Sequence, residues 1–337
     1  MDSLKYIEYQ QPKQRPSLVR RRSRSRTAAI PRYSYLPRKR VVSELLIGDL
    51  VDFCDNKFEK CSDCTGCNHP SGKCSGACSD CLHEIQYHRS GKRENYDCRN
   101  MLRYYACHTI WKRCSEILYA LETLNLKKYR TFDILSIGCG AAPDLMAFDQ
   151  FKQGKPIRYH GIDIESKWDE IHDFISEKSG SIRNIDVRFE NRDIYDIMDS
   201  QKWLPLPYNV IILQYMIAGH IYDGRADKID FMFDKIIEKF VAMKPHDTPL
   251  LLIINDIDHK SWICDYYNLF IKKLRKCGFE FTASKRHFEE REDGMNAGSK
   301  LYKVRTNRFL ADIPKGHREK YNANAPCSAS QLIIEVA

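Results

Sequence analysis

The feature that most constrains what this chain can fold into is an apolar strand that runs into a glycine turn and is followed by a second strand ending in two acids. The first part reads Asp133-Ile-Leu-Ser-Ile-Gly-Cys-Gly-Ala-Ala-Pro-Asp144, and the second Gly161-Ile-Asp-Ile-Glu165. Glycine at 138 and 140 lets backbone approach a bound group closely, because no side chain stands in the way. A carboxylate at a strand end about 25 residues later suits a ribose, whose paired hydroxyls donate to it. Together the two segments predict a nucleoside site.

The position of the third glycine limits which nucleoside. A dinucleotide fold uses G-x-G-x-x-G, so that the helix closes tightly on the strand beneath a pyrophosphate. Here that position is Pro143. Proline suits the first turn of a helix but offers no N–H to a phosphate. Asp144 adds a negative charge that suits the helix start and repels a diphosphate. A cofactor without phosphates is the expectation.

At this point the sequence resembles the class I S-adenosylmethionine-dependent methyltransferases, whose first motif is similar to Gly138-Cys-Gly140-Ala-Ala142. Ala142 stands where many members carry a further glycine. The resemblance implies S-adenosylmethionine as cofactor, held by Gly138, Gly140 and Ala142. It also implies Asp163 on the ribose hydroxyls, with Glu165 as the alternative. Asp193, within Glu190-Asn-Arg-Asp-Ile, would accept from the adenine amino group, and Gln214 and Tyr215 would close the pocket near the reacting methyl. An acid after a strand also serves as a turn former or helix cap, and Asp193 is open to both roles.

Strand-like runs recur at 132–137, 158–163, 186–189, 209–213, 250–255, 280–284 and 301–305, with helix-patterned or polar stretches between most of them. Such alternation predicts an α/β fold, a mostly parallel Rossmann-like sheet with helices on both faces. The apolar ending Gln331-Leu-Ile-Ile-Glu-Val336 predicts a final strand on a sheet edge. The domain organisation expected is a disordered arm over 1–40, a helix and cysteine-rich module over 41–95, a connecting helix over 96–129, and the methyltransferase domain over 130–337.

At 337 residues and 43% hydrophobic content, the chain has material for a full α/β core and one smaller module. The longest apolar run, 210–218, is too short for a membrane span and is interrupted by Gln214. The first residues, Met1-Asp-Ser-Leu-Lys-Tyr-Ile-Glu, lack the pattern of a secretory signal. An intracellular, cytoplasmic protein without a membrane partner is expected, with a nuclear or mitochondrial address left open.

The net charge of +9 is unevenly placed. Residues 1–40 hold twelve Lys or Arg against Asp2 and Glu8, which leaves the arm at +10 and the rest of the chain at −1. Its centre, Leu18-Val-Arg-Arg-Arg-Ser-Arg-Ser-Arg26, has little to bury and is expected to stay unfolded when free. Clustered arginines attract nucleic-acid phosphates through counterion release, without sequence specificity. A nuclear localisation signal, a transit peptide and a solubilising tail are the other readings. Asp2 and Glu8 count against the transit peptide.

Seven of the fourteen cysteines fall at Cys54, Cys61, Cys64, Cys67, Cys74, Cys78 and Cys81, followed by His83 and His88. Paired short spacings let two thiolates reach one metal ion. Almost nothing apolar lies between Lys60 and Asp80, so crosslinks must hold that segment in shape. Disulfides suit a secreted chain, which this does not resemble, so metal is expected. Seven cysteines and His88 would make two tetrahedral zinc sites, and Cys64-x2-Cys67-x6-Cys74 is echoed by Cys78-x2-Cys81-x6-His88. A binuclear cluster with shared thiolates would leave Cys54 or Cys61 out. The triple Cys61-x2-Cys64-x2-Cys67 opens like a ferredoxin motif, but the x3-Cys-Pro that should follow is absent. A structural zinc, rather than an iron–sulfur cluster, fits this nearly all-thiolate set.

Between the modules, Val42, Leu46, Leu50 and Phe53 predict a short helix over 41–53. A long amphipathic helix is predicted over 96–126, with Met101, Tyr105, His108, Trp111, Ile117, Leu118, Leu121 and Leu124 facing the core. After the fourth strand the chain reads Leu213-Gln-Tyr-Met-Ile-Ala-Gly-His220, without the Asn/Asp-Pro-Pro-Tyr/Phe motif of enzymes that methylate exocyclic amines. Tyr215, His220, Asn255 and Asp256 are the candidates for contacting the acceptor or its proton. The arm and the cysteine module together favour RNA as acceptor. A protein or small-molecule acceptor, a required protein partner, and a non-catalytic scaffold remain alternatives.

Overall fold

The computed structural model describes residues 47–60, 78, 79, 82, 98–151, 154–200, 208–244, 248–257, 262–288, 302–303, 315–323 and 327–337. Their centre is one sheet in the order β3-β2-β1-β4-β5-β8-β6-β7. The strands are β1 Phe132–Ile137, β2 Ile157–Asp163, β3 Ile185–Asn191, β4 Val210–Gln214, β5 Leu250–Ile257, β6 Phe281–His287, β7 Tyr302–Lys303 and β8 Ala329–Val336. The first five run parallel, and β8 is inserted antiparallel between β5 and β6. This is the class I methyltransferase sheet, extended at its edge by the two residues of β7.

The burial of each strand follows its composition. β1 (FDILSI) and β4 (VIILQ) are buried at every position, as unbroken apolar runs require of strands covered on both faces. β3 (IDVRFEN) alternates and takes an edge. The C-terminal strand does not lie on an edge as its position in the sequence suggested. Leu332, Ile333, Ile334 and Val336 are all buried, so β8 is covered on both faces, and the partly exposed β6, followed by β7, lies outside it.

The helices are α1 Ile47–Lys60, α2 Arg99–Leu121, α3 Pro143–Phe151, α4 Asp169–Gly180, α5 Ile194–Asp199, α6 Met216–Tyr222, α7 Ala226–Ile236, α8 Trp262–Lys276 and α9 Lys315–Lys320. On one face of the sheet, α1 to α4 pack over Phe132, Ile134, Ile212, Ile253 and Ile333. On the other, α5 to α8 cover Leu135, Ile137, Leu213, Ile254 and Ile334. The period-2 alternation of the strands feeds both layers.

Two helices differ from the sequence pattern. α1 runs further than predicted, to Lys60, and buries Ile47, Leu50, Val51 and Cys54 in the same apolar layer as α2, while 41–46 of the predicted helix lie outside the described residues. α2 is shorter than predicted, ending in a turn where Thr123 N donates to Ala120 O. It is not amphipathic: 18 of its 23 residues are buried, including Arg103 and Glu116. A helix enclosed on all sides is part of the core rather than a cover for it. Among the described residues no helix is long and apolar enough to cross a membrane.

Candidate active site

The glycine turn is built from three left-handed residues. Gly138 has φ +67°, Gly140 +49° and Ala142 +52°. Only glycine enters that region without strain, which explains the two glycines and identifies Ala142 as a position where glycine would be at ease. The turn is tied down by backbone: Gly138 N and Cys139 N both donate to Ile162 O, at 2.8 and 3.1 Å. From below, His172 of α4 donates through Nε2 to Gly140 O at 2.8 Å and stacks on Phe189, with centroids 4.0 Å apart. A carbonyl only accepts, so this bond fixes the tautomer with the proton on Nε2. Burial lowers the His172 pKa to about 4, so the ring is neutral at ordinary pH.

Asp163 joins the turn to the end of β2. Its Oδ2 accepts from Gly140 N at 2.8 Å and its Oδ1 from Glu165 N at 3.0 Å. Burial pushes the carboxyl up to about 6, against the pull of these two donors. Each carboxylate oxygen keeps a second lone-pair direction for a hydroxyl. Glu165 is turned away, accepting from Lys167 N at 2.9 Å as the cap of a short 3-10 turn. Between the two acids, Ile164 is 65% exposed. An apolar side chain standing in water beside the proposed ribose position is a surface for a flat ring.

Asp144 does not face the ligand side. It is fully buried and accepts from Tyr159 OH at 3.1 Å, so its charge is directed into the fold. Asp193 is the N-cap of α5, with Oδ1 accepting from Tyr195 N at 2.9 Å. It therefore fills the capping role, and one carboxylate oxygen is left over for any other donor.

At the ends of β4 and β5 the predicted residues meet groups that sequence reasoning missed. Tyr215 sits at φ +59° immediately before α6, and its hydroxyl donates to Glu116 Oε2 at 2.9 Å. Glu116 comes from the middle of α2, is fully buried, and accepts from Ser328 N at 3.0 Å through Oε1. Burial raises its pKa. The Arg113 guanidinium lies between the rings of Tyr105 and Tyr215, 4.7 and 4.4 Å from their centroids, and its charge is felt at Asp163 and Asp256. The sequence did not single them out, because α2 carries other charged residues, Arg99, Arg103 and Lys112.

Asp256 faces the other layer. Its Oδ2 accepts from Ile217 N and Ala218 N at 2.8 and 3.3 Å, so it caps α6 from the neighbouring strand. Burial pushes it up to about 7 despite these donors. His220 bonds the Tyr195 hydroxyl, and burial lowers its pKa. Neither residue joins the Tyr215–Glu116 pair. Asn255 and Gln214 do lie on the α2 side, as neighbours in register on β5 and β4.

Of the proposed metal ligands, only Cys54 and Cys78 belong to the described residues. Cys61, Cys64, Cys67, Cys74, Cys81 and His88 lie outside them, as does the arginine arm. Cys54 is buried in the α1–α2 interface, where a hydrogen bond with Cys107 and burial hold its thiol protonated. Among the described residues no group of His, Cys, Asp or Glu is placed to hold a metal ion.

No protein-family model and no curated protein sequence matches the chain. Solved structures that it resembles include the plantazolicin methyltransferase BpumL in complex with SAH, at 13% identity and a TM-score of 0.43, over 84% of this chain and 99% of that one. A SAM dependent methyltransferase from Archaeoglobus fulgidus matches at 17% identity and 0.36, over 76% and 98%. One from Aquifex aeolicus matches at 11% and 0.37, over 71% and 98%. The strand order and the glycine turn define the fold on their own.

Proposed function

We propose that the chain is an S-adenosylmethionine-dependent methyltransferase acting on RNA. The observation that carries the cofactor is the joint geometry of the turn and β2: left-handed backbone at Gly138, Gly140 and Ala142, clamped to the Asp163 carboxylate beside an exposed Ile164. These residues fit a nucleoside without phosphates. Asp163 would take the ribose hydroxyls, Ile164 the face of the adenine, and Gly138 and Gly140 the close approach of the methionyl part. When bound, the cofactor supplies a methyl group already activated on a sulfonium.

The chain's own task is then alignment and proton removal. Tyr215 would accept a proton from the acceptor while passing its own to Glu116, which burial makes a better base than an exposed carboxylate. Arg113, held between two rings, keeps positive charge beside the cleft. The acceptor is read as RNA from the +10 arm. The cysteine-rich segment is read as a structural zinc module that helps grip it.

One observation favours the non-catalytic reading. The Met216 sulfur lies against Gly138, only 2.2 Å from where a Cβ would stand, and both Asp163 oxygens already have backbone partners. In this arrangement the turn is filled by the protein's own groups. Calorimetric titration with S-adenosylmethionine separates the two: binding by the full chain that disappears in Asp163→Ala supports the enzyme, and no binding by a folded, metal-loaded sample supports the scaffold. Labelled-methyl transfer screened over RNA, DNA and protein then tests the acceptor. Replacing Arg20, Arg21, Arg22, Arg24 and Arg26 with Ala should flatten the salt dependence of RNA binding, and an unchanged dependence would remove the main support for RNA. Elemental analysis showing neither zinc nor iron, with paired cysteines, would remove the metal module.

A further inference from the structure

Four polar side chains form one row across four neighbouring strands. Gln214 on β4 is in register with Asn255 on β5, Asn255 with Gln331 on β8, and Gln331 with Arg286 on β6. Their exposures are 7%, 0%, 0% and 5%. The row lies beneath α2, where Gln331 Nε2 donates to Glu116 O at 2.9 Å and Arg286 donates to Tyr119 O at 3.3 Å.

The direction of every hydrogen bond along this row follows from its far end. A guanidinium only donates. Arg286 donates to Gln331 Oε1 at 2.8 Å, so the Gln331 amide is fixed with Nε2 on its other side. That nitrogen donates to Asn255 Oδ1 at 2.6 Å, which fixes Asn255 in turn with Nδ2 as the terminal donor. The Gln331 and Asn255 amide orientations, which would otherwise be ambiguous, are thus set by two groups that cannot reverse, the Arg286 guanidinium and the Glu116 carbonyl. Each bond also polarises the next, so the buried cation strengthens the last N–H.

Among the described residues the row ends in two buried atoms without hydrogen-bond partners: Asn255 Nδ2, a donor, and Gln214 Oε1, an acceptor. Buried polar atoms are almost always satisfied, and exceptions call for a cause. These two stand on adjacent strands, roughly 4.8 Å apart as strands go. They lie at the carboxyl ends of β4 and β5, where open α/β sheets receive their ligands.

We propose that Gln214 Oε1 and Asn255 Nδ2 form an acceptor subsite for the neutral lactam edge of a nucleobase such as uracil or guanine, with Arg286 as the positioning residue that, together with the Glu116 carbonyl, orients Asn255 through Gln331. This rests on the methyltransferase reading and names the part of the acceptor it would hold. A lactam presents C=O and N–H on the same side, one for each orphaned atom. A trans peptide bond presents them on opposite sides and reaches only one. A phosphate or carboxylate offers acceptors alone and would set a lone pair against Gln214. An amidine edge, as in cytosine or adenine, gives the polarised Asn255 donor a ring nitrogen rather than the more negative carbonyl oxygen. Both atoms lie below the surface, so binding requires side chains above them to move.

The test uses the full-length protein saturated with S-adenosylhomocysteine and titrated with uridine, guanosine, cytidine, adenosine and glutamine. Uridine or guanosine should bind, and its N-methylated form, 3-methyluridine or 1-methylguanosine, should bind about tenfold to a hundredfold more weakly. Because this arm alters the ligand, it does not depend on a variant folding. Asn255→Asp, which replaces the donor with an acceptor at constant shape, should weaken the same nucleoside to a similar extent. Arg286→Met should lose affinity that Arg286→Lys partly restores, with S-adenosylhomocysteine affinity unchanged in both. If S-adenosylhomocysteine binds but no nucleoside does, or if N-methylation has no effect, the subsite is overturned while the cofactor site stands. Preference for cytidine or adenosine overturns the lactam assignment, and preference for glutamine replaces the nucleobase with a side-chain carboxamide. Failure to bind S-adenosylhomocysteine at all overturns both readings.

Discussion

The two ends of the candidate cleft are built on different principles. At the β1–β2 end, the proposed site is carried by backbone: three left-handed residues and one carboxylate, all within 138–163, with hydrogen bonds that mostly span short separations. At the β4–β5–β8–β6 end it is carried by side chains from distant segments. Gln331 bonds the Glu116 carbonyl across 215 positions, Ser328 N donates to the Glu116 carboxylate across 212, and Arg286 reaches back 167 positions to Tyr119. A backbone site tolerates most changes around it and fails at a few fixed positions. A side-chain network spreads its dependence over every member, because removing one leaves another buried and unsatisfied.

The largest effect separating the two ends is expected from Asp163→Ala. Loss of charged acceptors for two ribose hydroxyls, and of the clamp on Gly140 N, should weaken S-adenosylmethionine binding by at least about a hundredfold, or about 3 kcal/mol. Glu165→Ala, which removes only the cap on Lys167 N, should change it by less than about fivefold. Equal effects would mean that the ribose is held by Glu165. The same carboxyl gives a pH signature. Its pKa of about 6 in the free protein must fall when hydroxyls donate to it, because they favour the ionised form. Affinity is then full above pH 6 and declines as pH falls through it, with a proton released on binding near pH 6. Calorimetry in buffers of different ionisation enthalpy measures that proton.

Glu116→Gln probes the other end. Once an acceptor is in hand, its kcat should fall by about a hundredfold while cofactor affinity stays within about twofold, since the amide keeps the shape and loses the base. A loss confined to stability would make Glu116 only the tether between α2, Tyr215 and Ser328. Gly161→Val measures how tightly the backbone end is packed. Its Cβ alone would stand 2.8 Å from both the Cys139 sulfur and a Phe189 ring carbon, so about 2 kcal/mol of destabilisation is expected in chemical unfolding.

This contrast explains what could be read from the sequence. The strands from 132–137 to 250–255 and the acid at 163 were legible because hydrophobic period and turn chemistry are local. Tyr215 and Asn255 were legible as positions at strand ends, but their partners were not. Nothing within a few residues of Arg286 or Gln331 indicates that they meet, because strand pairing through a late antiparallel insertion decides it. For the same reason β8 was misplaced on an edge: its apolar run implied burial, while its terminal position suggested otherwise. Asp193 was open to two roles by sequence, and the local one, the helix cap, is what the structure displays.

The smallest effect is expected at Ala142, and it sharpens the contrast most directly. A non-glycine residue at φ +52° carries about 1 kcal/mol of strain, whereas glycine there would add a comparable entropy cost by loosening the unfolded chain. Ala142→Gly should therefore change stability by under about 1 kcal/mol in either direction. If the turn acts through backbone path alone, cofactor affinity should hold within about threefold, because glycine adopts the same angles without strain. Ala142→Val keeps the burial but adds branching at a position where β-branched residues are true outliers, and should cost more than the glycine does in both measurements. If instead the Ala142 methyl, which is fully buried in the layer beneath α2, holds the turn by packing, glycine will be the worse of the two. The cofactor end would then depend on side-chain packing as the acceptor end does.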